Sequence, residues 1–134
     1  MGAWGTGPFD NDDAADWSAE LEEAGDPLAF VGETFAVVES SEEYVESPDA
    51  ACAIAAAAWL ASGLPGTPVA PSGYAPEVAA PTDRAAIDPL LDRAVVVLHR
   101  VLGEESEWRE LWDEVENTEA PAVVTALAEF IGST

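Results

Sequence analysis

Residues 106–116 read SEWRELWDEVE. Trp108, Leu111, Trp112 and Val115 recur there at i, i+3, i+4 and i+7, and the residues between them are all charged. A 3.6-residue period puts those four side chains on one stripe. The two-residue period of a strand would scatter them over both faces. The spacing predicts an amphipathic helix over 106–116, and the same period governs the chain on either side of it.

Downstream, Pro121 opens a last helix in which Val124, Leu127, Ala128 and Ile131 face inward and Gly132 marks the stop. Upstream, Leu91, Ala94, Val95, Leu98, Val101 and Leu102 form a broad apolar face that ends at Gly103. That helix starts near Thr82 or at Asp88-Pro89. Its β-branched run, Val95 to Val97, would suit a strand, but the leucine spacing and the glycine stop favour helix. Before it, residues 64–81 hold five prolines and two glycines, which exclude a continuous helix. The expectation is one long loop packed by Val69, Tyr74 and Val78. A helix over 48–62 is almost all small in its middle, Ala50 to Ala61, with Ile54, Trp59 and Leu60 as its bulky groups. Alanine has the best helix propensity and lets neighbouring backbones come close. This reads as a central helix contacted on several sides and stopped by Gly63. Leu28, Val31, Phe35 and Val38 mark a helix entered through Asp26-Pro27, and Ala14, Trp17 and Leu21 mark the first, over 11–24. Trp4 and Phe9 are expected to pin the glycine-rich N-terminal segment to the core. No stretch alternates with period two. The fold class is all-α, one compact domain over 1–134 with five to six helices.

The charge is lopsided. Twenty-seven Asp and Glu face four arginines and no lysine, for a net charge of −23. Seven Asp and nine Glu precede the first cation, Arg84, so residues 1–83 carry −16. Such a field repels phosphate backbones and anionic lipid and attracts cations and basic proteins. No P-loop, G-x-G-x-x-G or basic stripe supports nucleotide or nucleic-acid binding. Apolar residues at 49 %, with five Trp, exclude a disordered acidic tail. Two origins suit a lysine-free acidic shell: adaptation to strong salt, or a genome composition that favours Arg and Ala. No basic leader and no bilayer-length apolar run is visible, so the expected setting is the cytoplasm, with no membrane contact.

The opening MGAWGTGPFDNDDAADW, residues 1–17, resembles the start of an uncharacterised prokaryotic family, DUF4259. In that family a Trp-Gly-x-Gly-x-Phe-Asp-Asn-Asp start precedes a helix. Trp4, Gly5, Gly7, Phe9, Asp10, Asn11 and Asp12 match it residue by residue, with Trp17 in the helix that follows. SEWRELWDE, residues 106–114, is similar to the family's Ser-x-x-Arg-Glu-Leu-Trp segment and contains Trp108 and Trp112. The resemblance implies a small, mostly helical cytoplasmic domain. It implies no activity and carries no catalytic residues over.

Asp10, Asp12, Asp13 and Asp16 are the densest carboxylate cluster. As oxygen ligands they could hold a divalent cation weakly; as helix-start residues they cap the helix and complement its dipole. An EF-hand is excluded, because Ala14 and Leu21 fall where ligands are required. His99, the single histidine, lies near a helix C-terminus with no nucleophile placed beside it by any motif. Cys52, alone in an alanine run, reads as a small buried thiol. One His and one Cys are too few for a zinc site. Arg84, Arg93, Arg100 and Arg109 should each find carboxylates, Arg109 through Asp113 and Glu105. Trp108 and Trp112 could form a sticky surface, although aromatics at helical spacing more often build core. No catalytic residue and no cofactor is assigned. The expectation is a protein-interaction module, monomer or homodimer, that binds a basic partner, one version being an inhibitor or immunity-type protein. The rival is a metal-dependent enzyme using the N-terminal carboxylates.

Overall fold

The computed structural model describes residues 5–134, which form six α-helices and no β-strand. The expected docking of Trp4 lies outside the described residues. The helices are α1 (Asp12–Glu23), α2 (Pro27–Glu39), α3 (Ser47–Ser62), α4 (Arg84–Leu102), α5 (Glu107–Glu114) and α6 (Glu119–Gly132).

Short polar side chains start these helices as the sequence suggests. Asn11 is extended, and its Oδ1 accepts the Ala14 N–H at 2.8 Å. Asp26 accepts from Ala29 at 3.2 Å, with Pro27 at the first helical position of α2. Asp83 accepts from Ala85 at 3.1 Å, so α4 takes the earlier of its two expected starts and keeps Pro89 inside it. Each cap satisfies an amide that would otherwise have no helical partner.

α3 is the centre. Every residue from Ala50 to Ala61 is buried except half-buried Cys52, and the helix packs against all five others. Methyl side chains make this arrangement feasible, since bulkier ones would hold the neighbours apart. The expected stripes of α1, α2, α4 and α6 then close around it: Trp17, Leu21, Val31, Phe35, Leu98 and Leu127 are all buried. A fully enclosed side chain such as Phe35 contributes roughly 1.5–3 kcal/mol.

Four expectations need correction. α5 ends at Glu114, and Val115 is 61 % exposed rather than inward. The cause is a tight stop: Glu116 adopts φ 55°, its N–H donates to the Asp113 carbonyl, and the Asn117 N–H donates to the Trp112 carbonyl, both at 3.0 Å. This is a Schellman closure with Glu in the left-handed position that glycine usually fills. α6 begins two residues before Pro121, because Asn117 Oδ1 accepts the N–H groups of Glu119 (2.9 Å) and Ala120 (3.1 Å). Pro121 then sits in the first turn, where a missing N–H is harmless. The loop after α3 is packed by Leu64, Val69, Ala75 and Ala80, while Tyr74 is 55 % exposed and Val78 is also exposed. The core uses the Val78 backbone instead: its carbonyl accepts the Trp59 Nε1–H at 2.8 Å. Gly63 follows α3 in right-handed backbone, so it is not a left-handed cap. A Cβ there would stand 3.1 Å from the Ala80 carbonyl oxygen, where the loop returns.

One further tie joins the α2–α3 and α4–α5 connections. The Val45 N–H donates to Glu105 and the Glu107 N–H donates to the Val45 carbonyl, both at 2.9 Å, in a single parallel bridge. Glu107 Oε1 also accepts the Ser47 N–H at 2.8 Å. The start of α5 is thereby locked to the start of α3.

Candidate functional site

The described part of the opening motif is a lock. Asp10 turns back so that its Oδ2 accepts the Gly7 N–H at 3.1 Å. A Cβ on Gly7 would lie 2.6 Å from that oxygen, so the position needs the space only glycine leaves, and one on Gly5 would make a tight contact of 3.0 Å with it. Phe9 is buried in the core and Asn11 caps α1. Trp17, 3 % exposed, donates its Nε1–H to Thr34 Oγ1 at 2.9 Å and stacks on Phe30 with ring centres 5.7 Å apart. The motif therefore fixes how the chain enters α1 and how α1 meets α2.

That lock engages one of the four carboxylates expected as weak cation ligands. Asp10 is engaged by Gly7, Asp12 and Asp16 are exposed, and Asp13 is half-buried. Among the described residues, no three Asp, Glu, His or Cys gather closely enough to hold a metal ion. Asp13 is the member under electrostatic load. Burial pushes its carboxyl above the usual range, and Asp16, Asp12 and Asp49 add to the rise by repulsion.

Each arginine is tied to another part of the chain. Arg93 grips Glu39 through two bonds of 2.6 and 2.9 Å, donates to the Gly32 carbonyl at 2.9 Å and lies 5.9 Å from the centre of the Phe35 ring. Arg84 holds Asp88 at 2.6 Å and the Thr134 carbonyl at 3.0 Å. Arg109 holds Asp113 at 3.2 Å and the Leu102 carbonyl at 3.1 Å; Glu105 is not its partner. Arg100 donates to the Ser41 carbonyl at 2.9 Å and forms no ion pair among the described residues, contrary to the expectation that each arginine finds a carboxylate. Each cation spends at least one donor on a backbone carbonyl.

A small notch opens where the N-terminal ends of α1, α3 and α5 meet. Asp13, Ser47, Trp108, Leu111 and Trp112 line it, and its volume is about 30 Å³. Trp108 is 8 % exposed and belongs to the core; Trp112 is half-buried and meets it edge-on, with ring centres 6.3 Å apart and planes at 63°. The pair thus serves the core and a surface at once. Tyr44 lies exposed on the α2–α3 connection, which the Val45 bridge ties to the start of α5. Its hydroxyl donates to Glu110 Oε2 at 2.7 Å, a bond that pushes its pKa up to about 12. Sequence reasoning missed this notch, because its walls come from three separate segments and no single spacing signals it.

Cys52 is half-buried, and burial followed by repulsion from Asp13, Asp49, Glu20 and Asp16 pushes its thiol up to about 12. It is a neutral thiol at physiological pH, not a nucleophile. His99 is exposed near the end of α4. Among the described residues no helix is long and apolar enough to cross a membrane.

No curated protein and no solved structure matches the chain. Residues 2–123 of the 134 do match a family described as a domain of unknown function, DUF4259, and by that span the protein belongs to it.

Proposed function

We propose that this protein is an interaction module whose anionic surface binds a basic protein partner. The supporting observation is the use of its cations. Among the described residues three of the 27 carboxylates share an ion pair with arginine, and all four arginines are also held by backbone carbonyls. They are spent on joining segments and leave the field outside uncompensated. Such a field accelerates encounter with a partner of opposite sign and makes binding fall with salt. An inhibitor or immunity-type protein, whose carboxylates take the place of nucleic-acid phosphates on a basic target, is one form of this reading. The proposed setting is the cytoplasm, where a lone thiol such as Cys52 stays reduced.

The test is capture of a partner by immobilised protein, then titration of the purified partner across a salt series. The expected partner has a basic pI, and its affinity drops steeply as salt rises. Salt adaptation without a partner gives a different pattern. Stability then climbs with any monovalent salt without saturating, and no captured protein shows salt-dependent affinity. That result would overturn the proposal.

A further inference from the structure

We propose that the notch between α1, α3 and α5 seats a lysine side chain of the basic partner, with the ammonium against Asp13 and the stem along Trp112. This rests on the reading of a basic partner and names the place where it is gripped.

Two quantities decide which ligand the notch takes. The first is charge. Three helix N-termini border it, and each acts as roughly +0.5 of a charge, about +1.5 together. The first turns of the same helices carry five carboxylates: Asp12, Asp13, Asp49, Glu107 and Glu110. Three of the first-turn amides are already taken, by Asn11 at Ala14, Glu107 at Ser47 and Ser106 at Arg109. The balance of charge is therefore negative, and an anion meets repulsion there. The second quantity is size. One water needs roughly 10–15 Å³ of cavity, so a notch of about 30 Å³ suits a small head group. An ammonium is the more compact of the two cationic heads and fits such a notch better than a planar guanidinium.

The walls complement that guest. Trp112 lines the notch and gives a cation and its methylenes an aromatic, apolar wall. Asp13 stands half-buried beside neighbours of its own sign, and an incoming ammonium would relieve that repulsion. The α5 wall is braced from behind: the Trp112 ring by Trp108, and the start of the helix by the Val45 bridge and the Glu107–Ser47 bond. The geometry exists before the partner arrives.

The experiment titrates the protein with N-acetyl tetralysine amide, and in parallel with tetraarginine, at one fixed ionic strength. Indole and backbone amide resonances report the place, and tryptophan emission the affinity. Saturable shifts centred on Trp112 and Asp13 are expected with tetralysine. Trp112→Ala and Asp13→Asn should each weaken binding about five-fold or more, the size of one such contact. Glu22→Gln, which removes one charge from the exposed end of α1, should weaken it less than two-fold. Trp112→Phe, which keeps the packing, should fall between wild type and Trp112→Ala; it also decides the matter if Trp112→Ala fails to fold. Equal loss for Glu22→Gln and Asp13→Asn, with none for Trp112→Phe, would overturn the notch while leaving a diffuse acidic surface in place. Tetraarginine binding as tightly at the same resonances would overturn the lysine assignment. A wild type whose resonances tetralysine leaves unmoved would overturn the notch, whereas the acidic-surface reading falls only if the salt-series partner titration also fails.

Discussion

Replacing Thr34 by valine isolates one bond on which the α1–α2 junction depends. Thr34 Oγ1 accepts the Trp17 Nε1–H at 2.9 Å inside the protein and donates onward to the Phe30 carbonyl at 2.9 Å. Valine has nearly the same shape and helix propensity, so packing and local preference change little. The indole N–H is left without an acceptor in a site where Trp17 is almost wholly enclosed. An unsatisfied buried donor costs about 1–3 kcal/mol, and the added methyl returns up to about 0.8 kcal/mol. The net expectation is about 1.5 kcal/mol of destabilisation. At about 2.1 cal/mol/K per residue, 134 residues give an unfolding entropy near 0.28 kcal/mol/K, so Tm should fall by about 5 °C. Thermal melts by circular dichroism, in enough salt to screen the surface charge, measure it. Trp17→Phe removes the donor, and in that background Thr34→Val should cost almost nothing, giving a coupling of about 1–2 kcal/mol. A Thr34→Val protein that melts with wild type, or the same loss in both backgrounds, would refute the reasoning.

Among the described residues Ser18 is buried with no partner for its Oγ, so Ser18→Ala should raise stability by about 1 kcal/mol in denaturant titrations; a loss would mean the hydroxyl is satisfied after all. Glu116→Gly should also stabilise by up to about 1 kcal/mol, because glycine fits the left-handed closure of α5 without strain. Gly7→Ala should cost about 1–2 kcal/mol through its collision with Asp10, and nothing further in an Asp10→Ala background. Two carboxylates should respond to pH with opposite sign. Asp13 has a raised folded pKa, so its ionised form costs stability above that pKa and the cost fades as pH falls toward the ordinary 3.8; Asp13→Asn should stabilise at pH 7 and lose that benefit in acid. Glu39 is held below its ordinary 4.5 chiefly by its hydrogen bond to Arg93, so its contribution is present above 4.5 and lost as pH falls through the lowered value; Glu39→Gln should destabilise at pH 7 and not in acid. Melts of the two variants across pH that move in parallel would contradict both assignments.

The elements legible in the sequence were those set by one local period. The stripe of Trp108, Leu111 and Trp112, the alanine run of α3 and the Asn11 and Asp26 caps each declare themselves within about a dozen residues. What stayed hidden depends on partners far along the chain. Val115 continues the stripe in sequence, yet the helix stops before it because Glu116 and Asn117 fold back on Asp113 and Trp112. Tyr74 looked like a loop anchor, but the core needed a carbonyl for Trp59 and took it from Val78. The notch was illegible for the same reason. Ser47 and Trp112 are brought together by a bridge between Val45 and Ser106, which no composition or spacing encodes, and Asp13 joins them from α1.

The arginines connect the fold to the proposed role. Arg84, Arg93 and Arg109 each hold a carboxylate and a backbone carbonyl at once, which a guanidinium fork does readily and a single ammonium does poorly. Arginine therefore suits these positions better than lysine would. The four cations sit where their geometry joins segments, and four cannot offset 27 carboxylates. Exposed ion pairs of this kind contribute at most about 1 kcal/mol each, so stability alone gains little from the arrangement. A chain with net charge −23 could lower its self-repulsion by substituting a few exposed Glu with Lys, and it has not. An uncompensated anionic face, with a braced aromatic notch at its edge, is what a basic partner would need to find.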